Sequence, residues 1–125
     1  MKIFVYGTLK NGNRKKDYVK GKLHSLGGFP GINLDGDNLV EVEIVDNVNE
    51  TLLAYWDMYE GYVPGRKGNL YDRVEVTTVN GEVGYIYEFS DKEKLNQFPI
   101  VQPDSHGVSV WNGNNNIMAY MEDLF

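Results

Sequence analysis

Cysteine is absent from the 125 residues of this sequence. Its absence excludes disulfides, thiol nucleophiles, iron–sulfur clusters and thiolate metal sites. The sequence also lacks an apolar run long enough to span a membrane, and its N-terminus lacks the pattern of a secretory signal peptide. Histidine is scarce, with only His24 and His106, and no residue spacing indicates a metal site. Together these absences predict a cytoplasmic protein without a metal centre.

The composition that remains is that of an ordinary globular protein, 42% hydrophobic and 24% charged. The length predicts a single domain over residues 1–125. Residues 1–22 hold seven of the twelve cationic side chains and one acidic residue, so their net charge is +6, against −12 for the rest. A solvated basic face formed by residues 1–22 explains this uneven charge distribution best. RNA contact is the alternative, but Tyr18 is the one aromatic of that segment that lies outside the apolar run Ile3–Tyr6 and could stack on a base.

The first ten residues predict a buried strand that ends in a tight turn. Ile3–Tyr6 is an unbroken apolar and aromatic run, and Gly7 is the residue type used where a backbone bends or approaches another group closely. Thr8 and Leu9 follow in the bend, and residues 11–13 have a composition typical of a loop. Backbone N–H groups at such a strand end suit an anion or a carbonyl oxygen. An ordinary core strand with an ordinary turn is the simpler interpretation.

Further along, alternation and turn signals predict a mixed, largely antiparallel sheet with two or three helices. Residues 11–22 are predicted to be a loop or a short exposed helix, and residues 24–31 a short strand at most. The strand predicted at 39–45 is half-buried, with Val40, Val42 and Ile44 on its inner face and Glu41 and Glu43 on the other face. Two further strands are predicted at 74–79 and 82–89, joined by an Asn80-Gly81 hairpin turn. A short helical turn is predicted from Asp91 through Leu95, and a final helix bears Ile117, Met118, Met121, Leu124 and Phe125.

The clearest predicted helix lies between Asn47, as its N-cap, and Gly61, at its C-terminal cap. Glu60 precedes that glycine, at the negative end of the helix macrodipole. Bulky neighbours and the dipole would raise the pKa of Glu60 toward the range of a general acid–base, whereas a solvated surface glutamate is the simpler interpretation. A triad at Asp104-Ser105-His106 is a weaker candidate. The apolar helix face is predicted to comprise Val48, Leu52, Tyr55 and Tyr59.

Two distant stretches together resemble the γ-glutamylcyclotransferase-like family, which includes γ-glutamylamine cyclotransferases and plant avirulence-induced proteins. Val5-Tyr6-Gly7-Thr8-Leu9-Lys10, followed by Gly12, is similar to the opening signature of the family. The stretch from Leu53 through Asp57-Met58-Tyr59-Glu60-Gly61-Tyr62 resembles its second signature, and Tyr71-Asp72-Arg73 resembles the tyrosine-x-arginine step before the next strand. The resemblance covers roughly residues 2–89.

The resemblance implies an α+β fold, a small mixed and mainly antiparallel β-barrel with two or three flanking helices and one cavity. It implies that Glu60 is the catalytic acid–base and that the substrate's α-amine attacks its own γ-carbonyl, giving 5-oxoproline and a free amine. No metal or cofactor is implied. The predicted substrate-binding residues are Tyr6, Gly7, Thr8, Leu9 and Tyr71.

The sequence departs from the family at two places. Residues 42–45 lack the glycine and the aromatic residue usual in the third strand, and residues 107–111 differ from the family's late glycine-x-tryptophan stretch. These differences leave the identity of the departing amine open. A non-catalytic module that binds a small ligand or a partner on the same fold is the alternative function. We expect a monomer that binds a small γ-glutamyl molecule, with no membrane and no nucleic acid as partner.

Overall fold

The computed structural model describes residues 1–112, so the predicted final helix lies outside the described residues. The α+β class is confirmed, with mostly sheet and two helices in this part of the chain. The elements are β1 (Ile3–Val5), β2 (Lys16–Lys20), β3 (Lys22–Ser25), β4 (Pro30–Asn33), β5 (Leu39–Val45), α1 (Glu50–Tyr59), β6 (Tyr71–Thr77), β7 (Val83–Phe89), α2 (Lys92–Leu95) and β8 (Val108–Ser109).

The main sheet has the strand order β2-β5-β1-β7-β6, with β8 added in parallel to β5. Strand β1 pairs antiparallel with β5 and parallel with β7, while β6 and β7 form the predicted hairpin. Strands β3 and β4 form a separate two-stranded sheet. Strand β5 has the predicted bounds, and Gly81 in the hairpin turn has a φ of +88°. These elements confirm the predicted mixed, largely antiparallel sheet.

The predicted closed barrel is wrong for the described part of the chain, because no ladder joins the edge strands β2 and β6. Past the end of β6, the Val79 N–H donates to the Tyr18 carbonyl at 2.8 Å. The chain then turns back instead of continuing beside β2. The Asp17 carboxylate in β2 accepts hydrogen bonds from Thr78 Oγ1 at 2.6 Å and Asn80 Nδ2 at 3.0 Å. Side-chain bonds to Asp17 therefore occupy the place where further strand pairing would close the barrel.

The predictions for residues 11–22 and 24–31 are also wrong, since three strands lie there. In β2, Asp17 and Val19 face the interior while Lys16 and Lys20 are exposed. This alternation is hidden in the sequence because one of the two inward-facing residues is a carboxylate. The other segment holds β3 and β4, which pair across a turn near residues 26–29.

Helix α1 begins later than predicted and buries a different face. Its N-cap is Asn49, whose side chain accepts from the Leu52 N–H at 2.8 Å, whereas Asn47 has a φ of +57° before the helix. The residues of α1 that are buried are Leu53 and Asp57. The predicted face is mostly exposed, with Tyr55 at 65%. Asp57 is bonded to partners on the sheet, so a polar residue lies where hydrophobic periodicity expects an apolar one.

Apolar side chains cover both faces of the main sheet, and β1 lies between the two layers. Phe4 belongs to the layer that contains Val42 and Ile86, whereas Ile3 and Val5 belong to the layer beneath α1. A central strand covered on both faces reads as a continuous apolar run, which is why β1 was recognisable from its sequence. The turn that follows β1 therefore starts at the centre of the fold. No helix within residues 1–112 has the length and apolar character needed to cross a membrane.

Candidate active site

A cavity of about 420 Å³ opens where β1 ends, next to the C-terminal end of α1. The structure brings all six predicted site residues together in its walls: Tyr6, Gly7, Thr8, Leu9, Glu60 and Tyr71. The other described residues that line the cavity are mostly apolar. They come from β1, β7, the start of β4, the end of α1 and the segments next to these elements: Phe4, Val5, Gly28, Phe29, Pro30, Met58, Tyr59, Gly61, Leu70 and Tyr87.

The turn after β1 runs from Gly7 to Lys10, closed by a hydrogen bond from the Lys10 N–H to the Gly7 carbonyl at 3.1 Å. A Cβ atom on Gly7 would lie 2.8 Å from Cγ of Pro30. Such a contact is too short for a real side chain, so Gly7 allows the turn to pack directly on β4. The predicted tight turn is confirmed, and close approach is the physical reason for its glycine.

Glu60 is held in place by the way α1 ends. It is the C-cap residue, and Gly61 follows with a φ of +69°. The Gly61 N–H donates to the Met58 carbonyl at 3.2 Å and the Tyr62 N–H donates to the Asp57 carbonyl at 2.8 Å. This pair of bonds is a Schellman motif, which satisfies the last carbonyl groups of the helix. The motif fixes the backbone that carries the Glu60 side chain toward the cavity it lines.

Burial raises the pKa of Glu60 from 4.5 to about 7. No protein donor within residues 1–112 bonds its carboxylate, so desolvation of the charged form is left uncompensated. The prediction of a raised pKa is confirmed, and the fully solvated alternative is wrong. A carboxyl group with this pKa is present in both protonation states near neutral pH, as a group that both accepts and donates a proton must be.

Three tyrosine hydroxyls of the cavity are already engaged with the protein. Tyr6 donates to the Tyr87 carbonyl at 2.5 Å and Tyr71 donates to the Pro30 carbonyl at 2.6 Å. Tyr87 donates to Oδ1 of Asp57 at 2.7 Å. Burial raises the pKa of each of these tyrosines well above its usual value, and a negative charge on Glu60 raises it further. Glu60 is therefore the lining group of the described chain that can exchange a proton near pH 7.

Comparison with known proteins identifies the family of this chain. The family model for "Gamma-glutamyl cyclotransferase, AIG2-like" matches residues 3–106. The chain belongs to this family. It is 35% identical over 109 residues to the gamma-L-glutamyl-butirosin B gamma-glutamyl cyclotransferase of Niallia circulans, covering 74% of this chain and 69% of that protein. It is 34% identical over 76 residues to a provisionally named gamma-glutamylcyclotransferase of Halalkalibacterium halodurans, covering 60% of this chain and 68% of that protein.

The fold has a solved counterpart. The crystal structure of an uncharacterised protein from Pyrococcus horikoshii superimposes with a TM-score of 0.55 at 22% identity, over 73% of this chain and 79% of that chain. At this identity the likeness concerns the fold alone. The family match and the two bacterial relatives identify the chain as an enzyme of the γ-glutamylcyclotransferase type.

The second family signature includes Asp57, whose place in the site was not predicted. Its carboxylate accepts from Nη1 of Arg73 at 2.5 Å and from the hydroxyl of Tyr87. The Arg73 guanidinium also lies over the rings of Tyr62 and Tyr85, 5.3 and 5.0 Å from their centroids. These contacts attach α1 to β6 and β7 one helical turn before Glu60. The Asp-x-x-Glu spacing and the tyrosine-x-arginine stretch were the signals that could have revealed this ion pair.

Glu43 in β5 also lies beside the Gly7–Lys10 turn and was predicted to face away from the core. Instead it is buried, at 2% exposure. Its two carboxylate oxygens accept from the N–H groups of Asn11 at 2.8 Å and Gly12 at 2.9 Å, and Nη1 of Arg14 lies at 3.5 Å. Glu43 lines a second cavity of about 360 Å³, which Gly7 also borders. It therefore holds the loop that follows the turn.

The remaining candidates have structural explanations. Asp104 accepts from the N–H groups of His106 at 2.8 Å and Val108 at 3.1 Å, so it closes a loop, and Ser105 and His106 are exposed. Within residues 1–112, no group of three or more histidine, aspartate and glutamate side chains is arranged to hold a metal ion.

Proposed function

We propose that this protein converts a γ-glutamyl amide into 5-oxoproline and a free amine, with Glu60 as the acid–base. The observation that carries the proposal is a carboxyl group with a pKa of about 7, unbonded to any donor of the described chain, in the same cavity as the Gly7–Lys10 turn. The reaction requires a group that exchanges a proton and, in the same cavity, backbone N–H groups that stabilise negative charge on the substrate.

In the proposed reaction, the ionised Glu60 takes a proton from the substrate's α-amine as the amine nitrogen attacks the γ-carbonyl carbon. A C–N bond forms and closes the five-membered ring, and the carbonyl oxygen gains negative charge. Glu60 then gives the proton to the amide nitrogen as the original C–N bond breaks. The proton returns to substrate atoms, so Glu60 ends the cycle ionised. The cavity contributes by holding the substrate folded, which makes the attack intramolecular.

We propose that the turn residues Gly7, Thr8 and Leu9 bind the γ-glutamyl part through backbone N–H groups, which would stabilise its carboxylate or the developing oxyanion. Tyr6 and Tyr71 would form the wall against which that part packs, since their hydroxyls are bonded to backbone carbonyls. The single domain over residues 1–125, the monomeric state and the cytoplasmic location remain predictions.

The test is to incubate the protein with a broad panel of γ-glutamyl amides, which includes γ-glutamyl-amino acids, γ-glutamyl-ε-lysine and γ-glutamyl-alkylamides, and to measure the release of 5-oxoproline. Loss of general acid–base catalysis in Glu60→Gln should lower kcat/KM by about 10³-fold. The matched control is Glu50→Gln, which makes the same change at an exposed position in the first turn of α1 and should keep wild-type activity. In the wild type, kcat/KM should rise with pH and level off above about 7, because the base must be ionised.

Two outcomes would contradict the proposal. If Glu60→Gln is folded and as active as the Glu50→Gln control, Glu60 is not the acid–base. If no γ-glutamyl amide is consumed but one raises the melting temperature, the alternative of a non-catalytic ligand-binding module is correct.

A further inference from the structure

The cavity wall has an unusual charge composition for an enzyme that handles amino-acid derivatives. Glu60 is the one charged residue among the described residues that line it, and none of those residues is lysine, arginine or histidine. The sequence of residues 113–125 contains no cationic residue and two acidic ones. Those residues therefore offer no cation that could pair with a substrate carboxylate.

Exposed apolar side chains lie at the boundary between this cavity and solvent. Four lining residues are also exposed large hydrophobics, so they border both the cavity and the solvent: Phe29 at 40%, Met58 at 74%, Tyr59 at 65% and Leu70 at 45% exposure. They come from the last turn of α1 and from the segments before β4 and β6. Exposed apolar surface that is continuous with a candidate active site commonly marks a binding surface.

From these two observations we infer that the departing group is an apolar, aromatic-bearing amine without a carboxylate, so that the substrates are γ-glutamyl amides of such amines and not γ-glutamyl-amino acids. The inference rests on the proposed function. If the γ-glutamyl part lies against the turn and Glu60, the amine part must extend toward the mouth of the cavity, where the four residues of the apolar rim (Phe29, Met58, Tyr59 and Leu70) lie.

The position of Glu60 makes a carboxylate on the amine part unfavourable. In a γ-glutamyl-amino acid, that carboxylate is two bonds from the amide nitrogen to which Glu60 must deliver a proton. Glu60 must be ionised when the substrate binds, because it then accepts the proton of the α-amine. The two negative charges repel each other at this short separation, and no lining cation of the described chain offsets the repulsion. An apolar amine has no such charge, and its hydrocarbon part gains from burial against the rim.

The test compares three substrates that differ in one feature at a time: γ-glutamyl-phenethylamide, γ-glutamyl-phenylalanine, which adds only a carboxylate, and γ-glutamyl-ethylamide, which lacks only the ring. We expect kcat/KM for the phenethylamide to exceed that for the phenylalanine conjugate by about tenfold or more. We expect it to exceed that for the ethylamide by about tenfold, mainly through a lower KM.

A rim variant tests the electrostatic cause directly. Met58→Lys adds a cation at the exposed rim and should reduce the preference for the phenethylamide over the phenylalanine conjugate at least about threefold. Thr51→Lys is the matched control, because it adds the same charge at an exposed position of α1 that lies outside the cavity wall. Thr51 is about two helical turns from Met58, a distance close to the length over which salt screens a charge. It should leave the preference unchanged.

The outcomes separate the two claims. If none of the three amides is consumed and the wider panel is also inert, the proposed function fails. If the phenylalanine conjugate is consumed as fast as the phenethylamide or faster, the proposed function stands and the inference is overturned. A preference that Met58→Lys and Thr51→Lys alter equally would also overturn the assignment of that preference to the rim.

Discussion

Two glutamates line different cavities that share the Gly7–Lys10 turn, and they differ in burial and in hydrogen bonding. Glu43 is almost fully buried and accepts from two backbone N–H groups, with the Arg14 guanidinium beside it. Glu60 is half-buried and receives no hydrogen bond from the described chain, and burial raises its pKa to about 7. Each lines a different cavity, and the Gly7–Lys10 turn borders both.

The difference indicates that hydrogen-bond partners, more than burial, decide whether the charge of a carboxylate is compensated in this fold, which is why we propose Glu60 and not Glu43 as the acid–base. Bonds from N–H groups and a guanidinium stabilise the charged form of Glu43, so burying its charge is compensated. Glu60 has no such compensation from residues 1–112, and its charged form is therefore unfavourable. By the same reasoning Asp57, which is bonded to Arg73 and Tyr87, belongs with Glu43 although it is in the same helix as Glu60.

The largest expected change in the free energy of unfolding is in the Glu43 variant. Glu43→Gln removes the negative charge and puts an NH₂ group opposite a backbone N–H donor, so it should lower the free energy of unfolding by about 2–3 kcal/mol. Urea denaturation at pH 8 measures this, with Glu41→Gln as the control, since Glu41 is in the same strand and its ion pair with Lys16 is at 3.7 Å and partly exposed. Equal stability of both variants would remove the distinction drawn here.

The same substitution at Glu60 should have the opposite sign. With a pKa near 4.5 unfolded and about 7 folded, the folded state holds the Glu60 proton more tightly between these values. Stability therefore falls as pH rises through this window, and the whole penalty is present above pH 7. Glu60→Gln should be more stable than wild type at pH 8 by about 1–2 kcal/mol after allowance for partial exposure, and equal to it below pH 4.5. Paired urea titrations at pH 4 and 8 measure the difference, and a destabilised variant at pH 8 would contradict it.

Local signals in the sequence marked the two segments that carry the turn residues and Glu60, whereas Tyr71 was implied by the family resemblance alone. Gly7 marked a turn after an apolar run, and Gly61 marked the helix end next to Glu60. The family resemblance then linked these two segments, which are more than fifty residues apart. Spacing alone could not have linked them, because their meeting depends on the tertiary packing of α1 on the sheet.

The errors occurred where polar residues are buried. Asp17 concealed β2, Asp57 concealed the buried face of α1, and Glu43 was assigned to the solvent face of β5. In each case the partners are distant in sequence, such as Thr78 for Asp17 and Arg73 for Asp57. Hydrophobic periodicity treats a carboxylate as exposed, so it fails wherever remote donors compensate the buried charge.

The smallest effect concerns the helix end that holds Glu60. Gly61 has a φ of +69°, and a Cβ there would meet Leu70 Cβ at an unstrained 3.8 Å, so Gly61→Ala adds backbone strain without a clash. It should cost about 1 kcal/mol. Gly81→Ala is the matched control, with a φ of +88° and no atom within 4 Å of the added Cβ, in a hairpin turn outside both cavity walls.

Thermal melts should show the same loss of stability in both glycine variants. Turnover should not be the same, because only Gly61→Ala strains the Schellman motif next to Glu60, and a small displacement of a catalytic group lowers the rate steeply. We expect kcat/KM to fall about tenfold in Gly61→Ala and to stay at the wild-type value in Gly81→Ala. If the two variants are equally active, the helix cap is not required to place Glu60. The ion pair between Asp57 and Arg73 would then be sufficient to position it.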